Sequence, residues 1–319
     1  MADASLRVKV AVALGLVYLI WGSTYLAIRY AVATIPPLSM AGVRFLIAGA
    51  MLYVWARWRG APAPDARQWR SAGWVGLLLL VGGNGLVVWA EQRVDSGLTA
   101  LLVSTTPIFM VLLPWWGGKA RRPRLAVLVG IFVGLAGVAL LVKPSGVGGV
   151  DIPGTLVLSL ASLAWALGSL YSRTANLPAS PLLATGIQML AGGAQMLAVG
   201  VLLGEPARFH LAQVSAASLW GFLYLIVAAV VAFTAYLWLL RAVSPTLVST
   251  YSYVNPLVAV FLGWAIAGEP VTGRTLIAAV IIVASVAMIT LARSKESAPP
   301  ERLSSPAVSA TRTAFAPRR

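Results

Sequence analysis

The chain has 319 residues, 59% of them hydrophobic and 10% charged, with a formal net charge of +15 and a mean hydropathy of +0.86. Soluble domains run near half apolar and about a quarter charged, so this composition excludes a soluble globular enzyme, a collagen-like chain and a disulfide scaffold. No cysteine and one histidine, His210, also exclude a thiol nucleophile, a thiolate metal site and a zinc site built on several histidines.

The predicted elements are ten apolar helices. They cover roughly 9–29, 38–56, 72–91, 97–117, 124–142, 153–172, 181–203, 215–240, 246–267 and 275–292, lengths near the 20 residues that span a bilayer. The runs are continuous rather than alternating, which argues against a transmembrane barrel. Turn chemistry separates them: Ile35-Pro36-Pro37, Gly60-Ala61-Pro62, Lys143-Pro144-Ser145-Gly146, Leu177-Pro178, Gly204-Glu205-Pro206, Ser244-Pro245 and Gly268-Glu269-Pro270. The first run follows Arg7 and Lys9 and ends near Ala31-Val32-Ala33, the outline of a signal peptide. Its length, Arg29 ahead of any cleavage point, and a counterpart later in the chain mark it as a retained helix.

Alternate loops sort the positive charge. Eighteen Lys and Arg fall on the side of the two termini, and only Arg93, Lys143, Arg208 and Arg274 on the other. That asymmetry places both termini in the cytoplasm and assigns the excess charge to orientation rather than to nucleic acid. Residues 1–8 form a cytoplasmic N-terminus. Residues 293–319, rich in Ser, Pro, Ala and Arg, read as a disordered cytoplasmic tail.

The chain also aligns with itself. At an offset of 144, Trp21 meets Trp165, Arg29 meets Arg173, Pro37 meets Pro181, Gly42 meets Gly186 and Gly49 meets Gly193. At an offset of 149, Trp89 meets Trp238, Pro107 meets Pro256 and Trp115 meets Trp264. The halves are residues 9–144 and 151–292, five helices each. Five is odd, so the second copy enters the membrane from the opposite side. Inverted repeats related by a pseudo-two-fold axis are an architecture of secondary transporters, with the substrate site near the midplane between them.

Candidate pathway residues follow from polarity in apolar surroundings. Arg44 lies about two turns into the second helix and Glu91 at the outer end of the third, and an ion pair between them would offset both desolvation costs. Their counterparts, Gln188 and Leu240, are uncharged. Trp21 and Tyr25 share a stripe in the first helix, matched by Trp165 and Ser169 in the sixth. Asn84 shares a face with Glu91. Tyr251 and Asn255 precede Pro256 in the ninth helix. Pro107 and Pro256 kink their helices as gating elements, and nearby hydroxyls or a cavity supply partners for the freed carbonyls. Gly130 and Gly134 form a GxxxG face for close packing, with a dimer contact as the alternative to a monomer. No phosphate-binding G-x-x-x-x-G-K-[ST] run, metal cluster or nucleophile constellation occurs, so no cofactor is expected.

The sequence resembles the drug/metabolite transporter superfamily, specifically the EamA family and its YedA- and YddG-like exporters. The residues that carry the likeness include Ile20-Trp21-Gly22-Ser23-Thr24-Tyr25, Gly42-Val43-Arg44-Phe45-Leu46, Gly82-Gly83-Asn84-Gly85 with Ala90-Glu91, and Tyr251-Ser252-Tyr253-Val254-Asn255-Pro256 through Gly268-Glu269. The resemblance implies an inner-membrane exporter of small metabolites or drugs, amino acids and aromatic ones among them. It maps motif positions onto Trp21, Arg44, Asn84, Glu91 and Asn255. One departure stands out: relatives often carry an acidic residue after the fourth helix, where this chain reads Gly118-Lys119-Ala120-Arg121-Arg122. The leading expectation is alternating access through a central aromatic-lined cavity. An uncoupled facilitator or channel is the rival, since Glu91 is the one acidic group near the membrane interior. An integral-membrane enzyme on lipid-linked substrates is a third reading, for which no catalytic constellation is visible.

Overall fold

A computed structural model describes residues 2–118, 122–142, 151–243, 245–248 and 250–297. The described residues form helices joined by short turns, without a strand. We label the longer ones α1 (Ala2–Ala31), α2 (Pro37–Trp58), α3 (Ala66–Ala90), α4 (Ser96–Trp116), α5 (Leu125–Val142), α6 (Ile152–Ser172), α7 (Pro181–Leu202), α8 (Ala216–Ala242), α9 (Tyr251–Ala267) and α10 (Gly273–Ser297). Among the described residues, eight helices are long and apolar enough to cross a membrane, and α5 and α9 are shorter apolar helices. Large side chains such as Trp58, Trp116, Val227 and Phe261 are exposed, as on a surface that meets lipid.

Local chemistry sets the helix ends. Pro37 and Pro181 open α2 and α7 with the fixed φ a first turn requires. Asp65 accepts from Gln68 N at 2.7 Å while Gln68 Oε1 accepts from Asp65 N, a capping box on α3. The expected turn at 143–146, the basic loop at 119–121 and the tail beyond 297 lie outside the described residues. Residues 293–297, expected in the tail, continue α10.

Two helices depart from the regular reading. Within α3, Leu77–Gly85 is π-helical, while its counterpart at 226–234 lies inside the regular helix of α8. α4 is broken rather than kinked: one helical piece ends at Val103, and Thr106–Trp116 restarts with Pro107 in its first turn. Pro107 has no N–H, and Thr106 Oγ1 donates to the freed Val103 carbonyl at 2.7 Å. Ser104 and Thr105 serve Leu101 and Leu102 in the same way. Pro256, by contrast, lies inside α9.

Glycines position the two halves. A Cβ on Gly42 would lie 2.9 Å from Gly193 O, and one on Gly49 would lie 2.9 Å from Gly186 O. α2 and α7 therefore cross backbone against backbone, antiparallel. The repeat equates Gly42 with Gly186 and Gly49 with Gly193. Exchanging the halves reproduces the same contact, which is the mark of a two-fold, isologous interface. The other neighbours obey this exchange: α1 packs on α8 and α6 on α3, while α4 meets α9 and α5 meets α10. Gly130, Gly134 and Gly137 of α5 are covered by Ile289, Ser285 and Ile282 of α10. The GxxxG face is thus used for close helix packing within the chain, the first of its two expected readings.

These contacts also fix direction. Gly22 lies against Val258 and Tyr18 bonds Thr250, so α1 and α9 run parallel. α10 returns antiparallel to α9, and the start of α1 and the end of α10 share one end of the bundle, the terminal end. The far end holds the start of α2 and the ends of α1, α3, α7 and α9.

Candidate functional site

The candidate residues separate into two groups along the bundle. Towards the terminal end, Trp21 sits in a cluster of rings. Its centroid is 4.9 Å from Tyr251, 5.1 Å from Tyr236 and 5.6 Å from Phe233, and Tyr236 meets Tyr251 edge-on at 5.9 Å. These tilted and edge contacts are the favoured geometry of aromatic pairs. They close the space between α1, α8 and α9. Asn255 is buried beside them. With its amide turned to satisfy both atoms, it donates to Tyr18 O at 3.3 Å and Tyr251 O at 3.2 Å. That use of the side chain steadies the α1–α9 contact near Pro256.

Towards the far end, Arg44 is 4% exposed. Its Nη2 donates to Asn84 Oδ1 at 2.6 Å, and its guanidinium lies 4.4 Å from the Phe45 ring centroid. The expected Arg44–Glu91 ion pair does not form: Nε of Arg44 and both carboxylate oxygens of Glu91 are buried without a partner. Depth explains the choice. Arg44 lies seven residues into α2 and Asn84 seven residues before Glu91, each about 10 Å along its axis at 1.5 Å per residue. The guanidinium is therefore level with Asn84, and Glu91 sits above it. Tyr25 lies one turn beyond Trp21 on α1, between the two groups.

The matching stripe of α6 does not face Trp21. Trp165 packs on the π-helical stretch of α3, where a Cβ on Gly83 would come within 2.7 Å of its ring. Ser169 is half-buried on the same helix, and its carbonyl accepts from Ser172 Oγ at 2.9 Å. Trp21 and Trp165 thus occupy equivalent places in opposite halves, one against α8 and one against α3. The π turn lies beside Trp165 and carries Asn84, and such turns are rare and concentrate at functional sites.

Sequence reasoning did not foresee the carboxylates that fasten the far end. Glu269, just beyond α9, accepts from Ser96 N at 2.9 Å, Ser96 Oγ at 2.6 Å and Gly97 N at 3.0 Å, all at the start of α4. It also pairs with Arg29, which bonds Asp95 at 2.7 Å. Glu205, just beyond α7, accepts from Leu38 N at 3.0 Å and from Ser39 N and Oγ at 2.6 Å, at the start of α2. Each acid lends charge to the positive end of a helix that is remote in sequence. The signal was present as a Gly-Glu-Pro run twice in the chain, at 204–206 and 268–270, which local reasoning assigns only to turns. Phe233 and Tyr236 were also missed, because their helix is apolar throughout and presents no distinct face.

Comparison with known proteins agrees with this arrangement. The chain matches the EamA-like transporter family twice, over residues 9–143 and 152–291. It is 39% identical over 283 residues to the inner membrane transporter YedA of Escherichia coli (strain K12), covering 88% of this chain and 90% of that one. It is 25% identical over 300 residues to the transporter YoaV of Bacillus subtilis (strain 168), covering 90% and 99%. A solved crystal structure superposes with a TM-score of 0.61 at 23% identity over 91% of this chain and 99% of that one, a likeness of fold. Both repeats, the helices that suit a bilayer and these relatives identify a membrane transporter rather than an enzyme: the chain belongs to the EamA-like transporter family.

Proposed function

We propose that the protein is an inner-membrane secondary exporter that carries small metabolites, amino acids with aromatic side chains among them, by alternating access. In this reading all ten helices span the bilayer, the terminal end faces the cytoplasm, and a single chain is the working unit. The observation that carries the reading is Arg44. A guanidinium is buried in the membrane-spanning region, beside the glycine crossing that joins the halves, with Nε unpartnered. Buried charge in a bilayer is retained where it meets a partner or a substrate.

Each candidate then takes a role. Arg44 and Asn84 hold a substrate carboxylate. Trp21, Tyr25, Trp165 and Tyr251 provide faces for an aromatic or cationic side chain. Ser169 and Asn255 contribute hydrogen bonds as the helices separate. Pro107 lies at the break in α4 and Pro256 inside α9, both as gating elements, and Glu91 stands at the far-end gate. Exit from the terminal end requires the Trp21–Tyr236–Tyr251 rings to separate. Exit from the far end requires the Arg29–Glu269 contact to open.

The test is uptake into proteoliposomes with labelled L-tryptophan, L-phenylalanine, a panel of other amino acids and one dicationic dye. Saturable uptake of a few related amino acids is expected, with loss of most of it in the Trp21→Ala, Arg44→Ala double variant. Undiminished uptake in a folded double variant overturns the assignment of these sites, and flux that does not saturate overturns alternating access.

A further inference from the structure

α3 begins at the terminal end with two unlike faces. Ala72, Val75 and Gly76 are buried, and a Cβ on Gly76 would come within 2.8 Å of Gly192 N of α7. On the opposite side Arg67, Arg70, Trp74 and Leu77 follow one another at spacings of three and four, which puts them in one stripe along the helix. All four are exposed, Trp74 at 56%. The stripe runs about 15 Å at 1.5 Å per residue. Its order is two guanidiniums, then an indole, then a branched apolar chain. A phospholipid read from water inward has the matching order of phosphate, glycerol esters and acyl chain, and tryptophan favours the middle layer.

The charge on this stripe is uncommitted. Among the described residues, no hydrogen bond or ion pair engages the guanidiniums of Arg59, Arg67 or Arg70. Arg57 donates to Ala61 O. Asp65 is the one acid between Arg57 and Trp74, and its carboxylate is engaged as the α3 cap, accepting from Gln68 N at 2.7 Å. The end of α2 is held beside this stretch: Ala56 and Ala72 share one buried cluster, and the Tyr53 and Trp69 rings lie 6.3 Å apart. Trp58, closing α2, is 84% exposed. Orientation asks only for a number of positive charges in a loop. It does not ask that they stand in line with an exposed tryptophan and leucine. The counterpart positions in α8 are Ala216, Leu219, Leu223 and Ile226, so the stripe belongs to the first half alone.

We propose that this face of α3 binds one phospholipid with an anionic headgroup, in the leaflet at the terminal end. Arg67 and Arg70 hold the phosphate, Trp74 lies along the glycerol region, and an acyl chain follows Leu77. The bound lipid covers the side of α3 that α7 leaves open, directly ahead of the π turn that carries Asn84. Binding is independent of what the protein carries.

The test is native mass spectrometry of the full chain in micelles at physiological salt, titrated with phosphatidylglycerol or phosphatidylcholine. The wild type should retain one phosphatidylglycerol in preference to phosphatidylcholine. Each arginine near anionic lipid is worth about fivefold in affinity, so Arg67→Gln with Arg70→Gln should lose roughly thirtyfold. Trp74→Ala should lose several-fold with the charge intact. A relocated variant, Arg67→Gln, Arg70→Gln, Ala63→Arg, Ala66→Arg, keeps the loop's charge and the orientation it sets; it should bind as weakly as the neutralised one. Wild-type affinity in the relocated variant would mean that diffuse charge suffices, and would overturn the site. Equal retention of the two lipids by the wild type also overturns it, as does displacement of the lipid by millimolar inorganic phosphate, which would mark a site for free phosphate. If the neutralised variant does not fold, the relocated variant and Trp74→Ala decide the matter by the same readout.

Discussion

Gly204-Glu205-Pro206 and Gly268-Glu269-Pro270 are the same local device used for two different ends. Both follow a helix that ends on a left-handed glycine, at φ 73 and φ 64 degrees. Both send a buried carboxylate onto the first amides of another helix. Glu205 ties α7 to α2 beside the glycine crossing, and no ion pair joins it among the described residues. Glu269 ties α9 to α4 and also reaches Arg29 of α1, whose side chain is 35% exposed and shared with Asp95. The first fastening joins two helices that already touch along their backbones. The second joins three helices across a water-accessible seam. Identical chemistry therefore makes a fixed joint in one place and a releasable one in the other, and the difference lies in what surrounds the carboxylate.

The largest expected effect comes from closing the space under the second fastening. A side chain at Gly263 collides with the Glu269 carboxylate, so Gly263→Leu should abolish recovery of monodisperse protein in size-exclusion chromatography. Gly15→Leu, in open space, should not. Next, Glu205→Ala strips the acceptor from Leu38 N and from Ser39. Bonds to a buried charge are each worth about 2 kcal/mol, so a clear drop in thermal midpoint is expected, with substrate exchange by the surviving folded fraction unchanged. Slower exchange in that fraction would make both joints belong to the moving machinery.

Glu269→Gln keeps one acceptor oxygen where the carboxylate uses two, Oε1 for Ser96 and Oε2 for Gly97, and removes the charge that holds Arg29. Its stability loss should be the smaller of the two acidic substitutions, yet a spin or fluorescence label across the far end should report greater opening. An unchanged label distance would show that the seam is held by packing alone. Smallest of all is Asp95→Asn. Exposed pairs contribute about 0–1 kcal/mol and are screened by salt, so its effect on the thermal midpoint should shrink to nothing in high salt.

Much of this architecture was legible in the sequence. Tryptophans, prolines and arginines recurring at fixed offsets announced the repeat, and five helices per copy announced its inversion. The glycines at 42, 49, 186 and 193 were visible as matches, but their crossed pairing was not, because an offset states equivalence and not contact. Arg44 stood out as a charge in apolar surroundings. Its partner did not: Arg44 reads about two turns deeper than Glu91, and the attraction between opposite charges was weighed above that difference. Glu205 and Glu269 were hidden for a different reason. A carboxylate that caps a helix more than a hundred positions away leaves no local spacing to read. The π turn at Leu77–Gly85 likewise has no simple signature beyond Gly82-Gly83-Asn84-Gly85, which reads equally as tolerance of close packing.

The crossing of α2 and α7 has a mechanical consequence. Where backbones touch with no side chain between them, no rotamer change can alter their separation, and sliding would drive one glycine onto the next residue's Cβ. The freedom that remains is rotation about the contact, as in a pair of scissors. The crossing lies near the middle of both helices, so each arm is about 15 Å long at 1.5 Å per residue. A turn of about 10 degrees would displace the tips of one helix by roughly 3 Å relative to the other, about the width of a water molecule, and because the pivot is near mid-length both ends of the pair spread or close together.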